Sequence, residues 1–317
     1  MLSPDTFLLT LYVSVDDFCK AHPAVVEECS GSRGKERALT VSEVITLSVF
    51  SQWVRFRTER GFYHFAEQKL LGLFPKLPKR SQFNRATRAC FPGLVAFFRS
   101  MAGELNAHTS RYEVLDRCGI VTRASGRRGS QWLHGYADKG LCGRLGYFHG
   151  LQLLTATTAE GVITGFGLGP GSAKDQPMAE AFFATRAERS VERSPEWPWI
   201  GQAPAGRIYV LDKGFSGPAR HLEWKHAYGV EVFCAPQKGH GPPWPKALAK
   251  WVASLRQIIE TVHDKLLNWF RLERERPHDV RGIFTRLAAK AALNNFCIWL
   301  NRQLGRPPLA FADLLGW

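Results

Sequence analysis

The sequence predicts a mixed α/β (α+β) chain, with a sheet flanked by helices and an all-helical N-terminal domain ahead of it. Three observations carry this expectation. Apolar residues recur at helical spacing up to about residue 105. From about residue 110 the pattern changes to alternating and β-branched runs bounded by glycine. A long one-face apolar stripe then returns between about 246 and 270.

Composition narrows the class. With 317 residues the chain is long enough for two domains or one large one. At 45% hydrophobic it can build a sizeable core and is not broadly disordered. A net charge of +14 points to a polyanionic partner, nucleic acid first and an anionic membrane surface second. No apolar run approaches the roughly 18 uncharged residues of a membrane span. The N-terminus MLSPDTFLLTLYVSVDDF has no basic leader or small-residue cleavage site, and Asp5, Asp16 and Asp17 interrupt it, so it does not read as a signal peptide. Cys19, Cys29, Cys90, Cys118, Cys142, Cys234 and Cys297 are odd in number, scattered and without C-x-x-C spacing. They read as reduced cytosolic thiols, not as a disulfide framework or zinc knuckle. The ten histidines also lack ligand spacing.

In the N-terminal part, Leu8, Leu9, Leu11, Tyr12, Val15 and Phe18 form a helical stripe, and Cys29 to Arg37 reads as a polar loop. Thr40 and Glu43 have capping-box spacing. Val44, Leu47, Val49 and Phe50 continue as a buried helix that Arg55, Arg57 and Arg60 close. In FPKLPKRSQFNRATR two prolines end one helix and Ser81 can cap the next, which carries Arg85 and Arg88 behind Lys79 and Arg80. This is either the recognition helix of a helix-turn-helix domain or a plain solvated face.

Beyond residue 110, Tyr112, Val114 and Asp116 alternate as a strand, and a basic glycine-rich loop follows at 123–131. Residues 147–157 and 162–168 read as a hairpin joined by Ala159, Glu160 and Gly161. A helix is predicted over 177–189, a proline-rich connector over 193–206 and a buried strand over 208–211. A short helix (218–226), a strand (230–234), a long helix (246–270) and a last helix (286–304) complete the order.

The strand Ile208 to Leu211 ends abruptly in Asp212, Lys213 and Gly214. A carboxylate at the exit of a buried strand is a common place to hold a metal or reacting group, although Asp and Gly also simply open turns. On the long helix, Leu248, Val252, Leu255, Ile259, Val262, Leu266 and Trp269 form the stripe, flanked by Arg256, Glu260 and His263. Those three share one side, where Glu260 either faces a site or pairs with Arg256 on a wet surface. Asp138, in a second Asp-Lys-Gly triplet, reads as a loop residue because no apolar strand precedes it. Asp175 reads as a helix cap.

Taken in order, a strand with Asp116, a hairpin, a helix, a strand ending in Asp212, a short strand and a helix with Glu260 give the RNase H-like arrangement. In that arrangement, two ions about 3.5–4 Å apart need several oxygen ligands, which three carboxylates from neighbouring elements can supply.

These residues resemble the DDE transposases of bacterial insertion sequences, in the group with a short spacing before the glutamate. Asp212-Lys213-Gly214-Phe215 is similar to the family's Asp-Lys/Arg-Gly-Tyr, and RQIIETVHDKLLNWFRLERER, with Arg256 and Glu260, to its Arg-then-Glu helix. The first motif, usually Asp-Ser-x-Pro, appears as Asp116-Arg117-Cys118-Gly119. The pair of strands beginning YFHGLQLL resembles the family's Tyr/Phe-x-Gly-x-Lys pair, with Gln152 at the lysine. LPKRSQFNR is similar to the helical segment ahead of the catalytic domain, and the resemblance spans roughly 40 to 300.

The resemblance implies a helical, helix-turn-helix-like DNA-binding domain at 1–105 and an RNase H-like catalytic domain at 106–317. It implies that Asp116, Asp212 and Glu260 bind two Mg2+ ions, with Mn2+ able to substitute, to cut the element's ends and join them to target DNA. Lys213, Arg256, His263 and Lys265 would hold phosphates near the scissile bond; Arg117, a departure from the family's Ser, could instead touch DNA phosphate. Arg123, Arg127 and Arg128, with Arg80, Arg85 and Arg88, would bind the flanking duplex. The implied partners are double-stranded DNA, both terminal inverted repeats and target, and a second copy of the chain on that DNA. No membrane is involved, and the location is the bacterial cytoplasm, at the nucleoid when DNA is bound. The alternatives are an inactive, transposase-derived DNA-binding protein and a metal nuclease that cuts without joining.

Overall fold

The structure, a computed structural model, describes residues 1–30, 38–53, 55–123, 133, 135–187, 199–201, 208–236, 243–276 and 278–316. In chain order these form helices α1 (Pro4–Ala21), α2 (Pro23–Ser30), α3 (Val41–Phe50), α4 (Glu59–Lys69), α5 (Arg80–Ala89) and α6 (Phe91–Glu104). Strands β1 (Tyr112–Val121), β2 (Asp138–Cys142), β3 (Gly146–Thr157) and β4 (Ile163–Pro170) follow, then α7 (Asp175–Ala187). Next come β5 (Trp199–Gly201), β6 (Ile208–Leu211), α8 (Pro218–Tyr228), β7 (Glu231–Cys234), α9 (Lys246–Asp264) and α10 (Val280–Gln303). The chain divides into two compact units, one of residues 1–104, 265–275 and 279–317, the other of 105–264 and 276–278.

The first unit is helical. Ser3 caps α1, whose buried face carries Phe7, Leu8, Leu11, Val15 and Phe18. Thr40 and Glu43 form the capping box read from the sequence: the Thr40 hydroxyl accepts the Glu43 N–H at 3.2 Å, and the Glu43 carboxylate accepts the Thr40 N–H at 2.7 Å. α3 is buried on nearly every side, and α10, packed against α3 and α6, shares that core. Two sequence readings need correction. Ser81 does not cap α5, which starts a residue earlier with Lys79 in the cap position. Arg60 belongs to α4, behind the Thr58 cap, instead of closing α3.

The second unit is a mixed sheet in the order β5-β4-β3-β1-β6-β7, with β2 added along β3. β1, β3 and β4 are antiparallel neighbours, whereas β1, β6 and β7 run parallel. The core order β4-β3-β1-β6-β7 is the RNase H-like arrangement that the element order predicts. The hairpin is present as β3–β4, with Gly161 at φ 83° supplying the left-handed residue of its turn. Both faces are covered. Leu115, Leu154, Ala156, Tyr209 and Leu211 pack on Phe182 and Phe183 of α7 and Trp224 of α8. Val114 and Val210 pack on Val252, Leu255 and Ile259 of α9. The long helix ends at Asp264 and passes into a widened turn over Lys265–Trp269. Asp138 is not a loop residue but the first residue of β2, paired opposite Gly150. Of the loop expected at 29–37, Cys29 and Ser30 instead close α2, and 31–37 lie outside the described residues, as does most of the proline-rich connector.

Candidate active site

Strand periodicity fixes the direction of the two aspartates. Side chains alternate between faces along a strand, so Asp116 shares the face of Val114, and Asp212 continues that of Val210. This is the face that α9 covers. β1 and β6 pair in parallel with Leu115 opposite Leu211, and Asp116 and Asp212 are the next residues along. Each carboxylate is anchored by the next backbone N–H: Asp116 Oδ1 accepts the Arg117 N–H at 2.8 Å, and Asp212 Oδ1 accepts the Lys213 N–H at 2.7 Å.

α9 brings the third carboxylate with a guanidinium. Arg256 and Glu260, one turn apart, flank the buried stripe of Val252, Leu255, Ile259 and Val262. Arg256 Nη1 is 3.3 Å from Asp212 Oδ1, and its Nη2 is 3.7 Å from Glu260 Oε1. The pairing of Arg256 with Glu260 is thus extended, through the guanidinium, to the strand aspartate. Glu260 is the most open of the group, with 60% of its side chain exposed.

Burial pushes the Asp116 carboxyl up to about 6. The Arg117 N–H and the Arg256 guanidinium oppose that rise, while the Asp212 and Asp175 carboxylates add to it. A carboxyl so reluctant to ionise beside further carboxylates is short of positive charge. An all-oxygen donor set of this kind suits a hard divalent cation. Among the described residues, however, no three His, Cys, Asp or Glu side chains are gathered as a metal-holding group. The donors fit in kind, and Arg256 is paired with two of them, Asp212 and Glu260.

Asp175, a helix cap by its sequence, does open α7, but its carboxylate also binds the Arg117 guanidinium. Arg117 additionally donates to the Ala173 carbonyl at 2.5 Å. The expectation that Arg117 touches DNA phosphate is thereby corrected: it is half-buried and tied to the start of α7. The only sequence signal for this role was an acid opening a helix after a glycine-rich turn, which is indistinguishable from ordinary capping. Phe215 is 1% exposed and sits in the core with Trp224 and Phe183, so its ring replaces tyrosine as a packing group. Gln152 is buried and donates to the Gly171 carbonyl at 2.9 Å.

The cationic residues separate into several environments. His263 does not share the outer side of α9 with Arg256 and Glu260. It is buried, its imidazole pushed down to about 4 by burial and by Arg144, and it is not available to phosphate. Lys213 is exposed beside Asp212. Lys265 lies in the helical unit, its ammonium 4.8 Å from the Trp269 ring centre and 5.7 Å from that of Phe311. Arg80 pairs with Glu59 at 3.3 Å, and Arg88 with Asp279 at 3.1 Å and with Asn84. Arg85 is exposed. Arg123 is half-buried, and Arg127 and Arg128 lie outside the described residues.

Among the described residues, no helix is long and apolar enough to cross a membrane. No curated protein and no solved structure matches the chain. The family model described as the transposase DDE domain matches residues 114–296, more than half of the chain and a span that includes Asp116, Asp212, Arg256 and Glu260. Proteins of that family act on DNA and typically use divalent metal ions. The chain belongs to the insertion-sequence transposases that carry a DDE domain.

Proposed function

We propose that this transposase cuts DNA at the ends of its own element and joins those ends to target DNA, with Asp116, Asp212 and Glu260 as its catalytic carboxylates. One observation supports the reading most: Asp116, within β1, and Asp212, just past β6, directly follow the residues that pair in parallel, on the face that α9 covers, and Arg256 links Asp212 to Glu260. These three carboxylates would hold two Mg2+ ions, with Mn2+ as substitute. Such ions, when bound, supply a nucleophilic oxygen at neutral pH and charge stabilisation at the leaving oxygen.

The chain's own residues do the rest. The buried walls of β1, β6 and α9 exclude water behind the carboxylates. Lys213 and Arg256 hold phosphate oxygens beside them, and in the free protein Arg256 neutralises Asp212. Lys265 and Arg123, with Arg127 and Arg128, extend the phosphate contacts, and Arg80, Arg85 and Arg88 of the N-terminal region bind flanking duplex. The helical region 1–105 would recognise the element's ends, residues 106–317 would carry the chemistry, and two copies would act together on two ends.

The test is a supercoiled plasmid bearing the element's ends, incubated with the protein and Mg2+. Cut and joined products are expected, and Glu260→Gln should abolish both while retaining duplex binding. Full activity in that variant would overturn the three-carboxylate assignment. A second reading, an inactive DNA-binding descendant, draws on the absence of a gathered metal-holding group among the described residues. Binding of end DNA with no cutting by the wild-type chain, in either Mg2+ or Mn2+, would favour it. Cutting without joined products would mark a nuclease.

A further inference from the structure

An open cavity of about 730 Å3 lies between the β2–β3 hairpin and the start of α7. Its wall is cationic and aromatic. β2 and β3 pair with Lys139 opposite His149 and Leu141 opposite Tyr147, so the Lys139, Leu141 and Tyr147 side chains share one face. The Lys139 ammonium lies 4.8 Å from the Tyr147 ring centre. That occupies one side of a ring that is still 72% exposed, leaving the other open. Lys174, just ahead of α7, adds a second ammonium to the lining. Neither lysine has a carboxylate partner among the described residues, whereas Arg117 and Arg220, also in the lining, are neutralised by Asp175 and Glu180.

The floor is built by close backbone approach. A Cβ on Gly140 would collide with the Gly171 carbonyl, and one on Gly214 with the Asp175 carboxylate. Gly214 and Asp175 both line the cavity. Gly214 is two residues past Asp212, and the Asp175 charge is felt by Asp116. The cavity and the carboxylate site therefore meet at the same end of the sheet.

Two ammonium groups with no carboxylate partner among the described residues select phosphate, and an open phenol ring beside an apolar side chain selects a flat base. A base can leave the duplex stack for such a cavity only where it is unpaired. We propose that this cavity binds an unpaired nucleotide of single-stranded DNA, its phosphate held by Lys139 and Lys174 and its base stacked on the free face of Tyr147. The inference rests on the transposase reading, since it is the neighbouring carboxylate site that would leave a strand unpaired there.

The test uses the full chain and three probes: a short labelled oligodeoxythymidine, deoxythymidine monophosphate as competitor, and an element-end duplex. Tyr147→Ala should weaken oligonucleotide binding roughly tenfold, while Tyr147→Phe keeps it. Replacing Lys139 and Lys174 by Ala should each reduce the salt dependence by about 0.7 in log–log slope. Duplex affinity should hold in all four variants, which also shows that they fold. Unchanged oligonucleotide binding in Tyr147→Ala, or equal losses for oligonucleotide and duplex, would overturn the proposal. Displacement of the oligonucleotide by the monophosphate at equal concentration would overturn it in favour of a free-nucleotide site. Failure of the plasmid reaction with these oligonucleotide results intact would count against the transposition reading alone.

Discussion

Arg256 is 3.3 Å from Asp212, close enough that one guanidinium on a helix neutralises a carboxylate at a strand end while also reaching Glu260. Removing it leaves like charges uncompensated around Asp116. Arg256→Ala should lower the stability of the metal-free protein by about 1 kcal/mol, because the pair is only partly buried. That corresponds to a Tm lower by roughly 2–4 °C. The same loss of competition should enlarge the stabilisation produced by added Mg2+. Thermal scans with and without Mg2+ check both, and a smaller Mg2+ shift in the variant would show that Arg256 does not compete with the ion.

A second charge pair holds the other face of the sheet. Arg186 of α7 meets Glu113 of β1 at 2.5 Å, the Tyr209 hydroxyl of β6 at 2.8 Å and the Thr164 carbonyl at 2.9 Å, with Glu113 wholly buried. Removing one partner strands a buried charge. Glu113→Ala should therefore cost about 3–5 kcal/mol, against about 1 kcal/mol for Tyr209→Phe, which deletes one hydrogen bond. Urea midpoints measure both. Equal costs would mean that packing, and not the stranded guanidinium, dominates.

In the helical unit, Glu275 binds Lys290 and Arg286, each at 2.8 Å. Burial opposes its ionisation, but Lys290 and Arg286 outweigh it and hold the carboxyl down to about 2. As pH falls, the unfolded chain takes up this proton first, near the ordinary glutamate value, while the folded chain resists. The stabilisation is thus complete above about 4.5 and is lost as pH falls towards about 2, by roughly 3 kcal/mol for this group. Stability curves across that window should be visibly flatter in Glu275→Gln than in the wild type.

The elements easiest to read from sequence were those whose signal is local. The Thr40–Glu43 capping box, the β3–β4 hairpin and the apolar stripe of α9 are each specified by residues within a few positions of one another. Asp138 was misread because β2 adds to one side of the sheet through its backbone ladder, with Lys139 and Leu141 exposed, so it has no buried run to announce it. His263 was misplaced because helical spacing gives a face but not the depth to which that face is covered. Asp175 looked like a cap because its partner, Arg117, is on a distant strand, and only the fold brings them together. The placement of α10 against α3 and α6 is equally invisible locally, since its buried residues run nearly all round the helix and include the polar Lys290, Asn294, Asn295 and Asn301.

The three arginines of α5 can be told apart by what already holds them. Arg80 is paired with Glu59, and Arg88 is bound by Asp279 and by Asn84 at 3.0 and 2.7 Å, whereas Arg85 is exposed with no ion-pair partner among the described residues. If α5 meets DNA, Arg85 is free to make a phosphate contact without first breaking an internal one. Arg85→Ala should then weaken duplex binding and lower its salt slope by about 0.9, the value for one phosphate contact, with no change in Tm. Arg88→Ala should do the reverse, lowering stability by about 1 kcal/mol through its lost contacts and leaving most of the slope in place. Binding isotherms over a range of salt, with thermal scans on the same samples, separate the two. An unchanged slope in Arg85→Ala would remove α5 from the DNA interface and leave it as the solvated face of a helix.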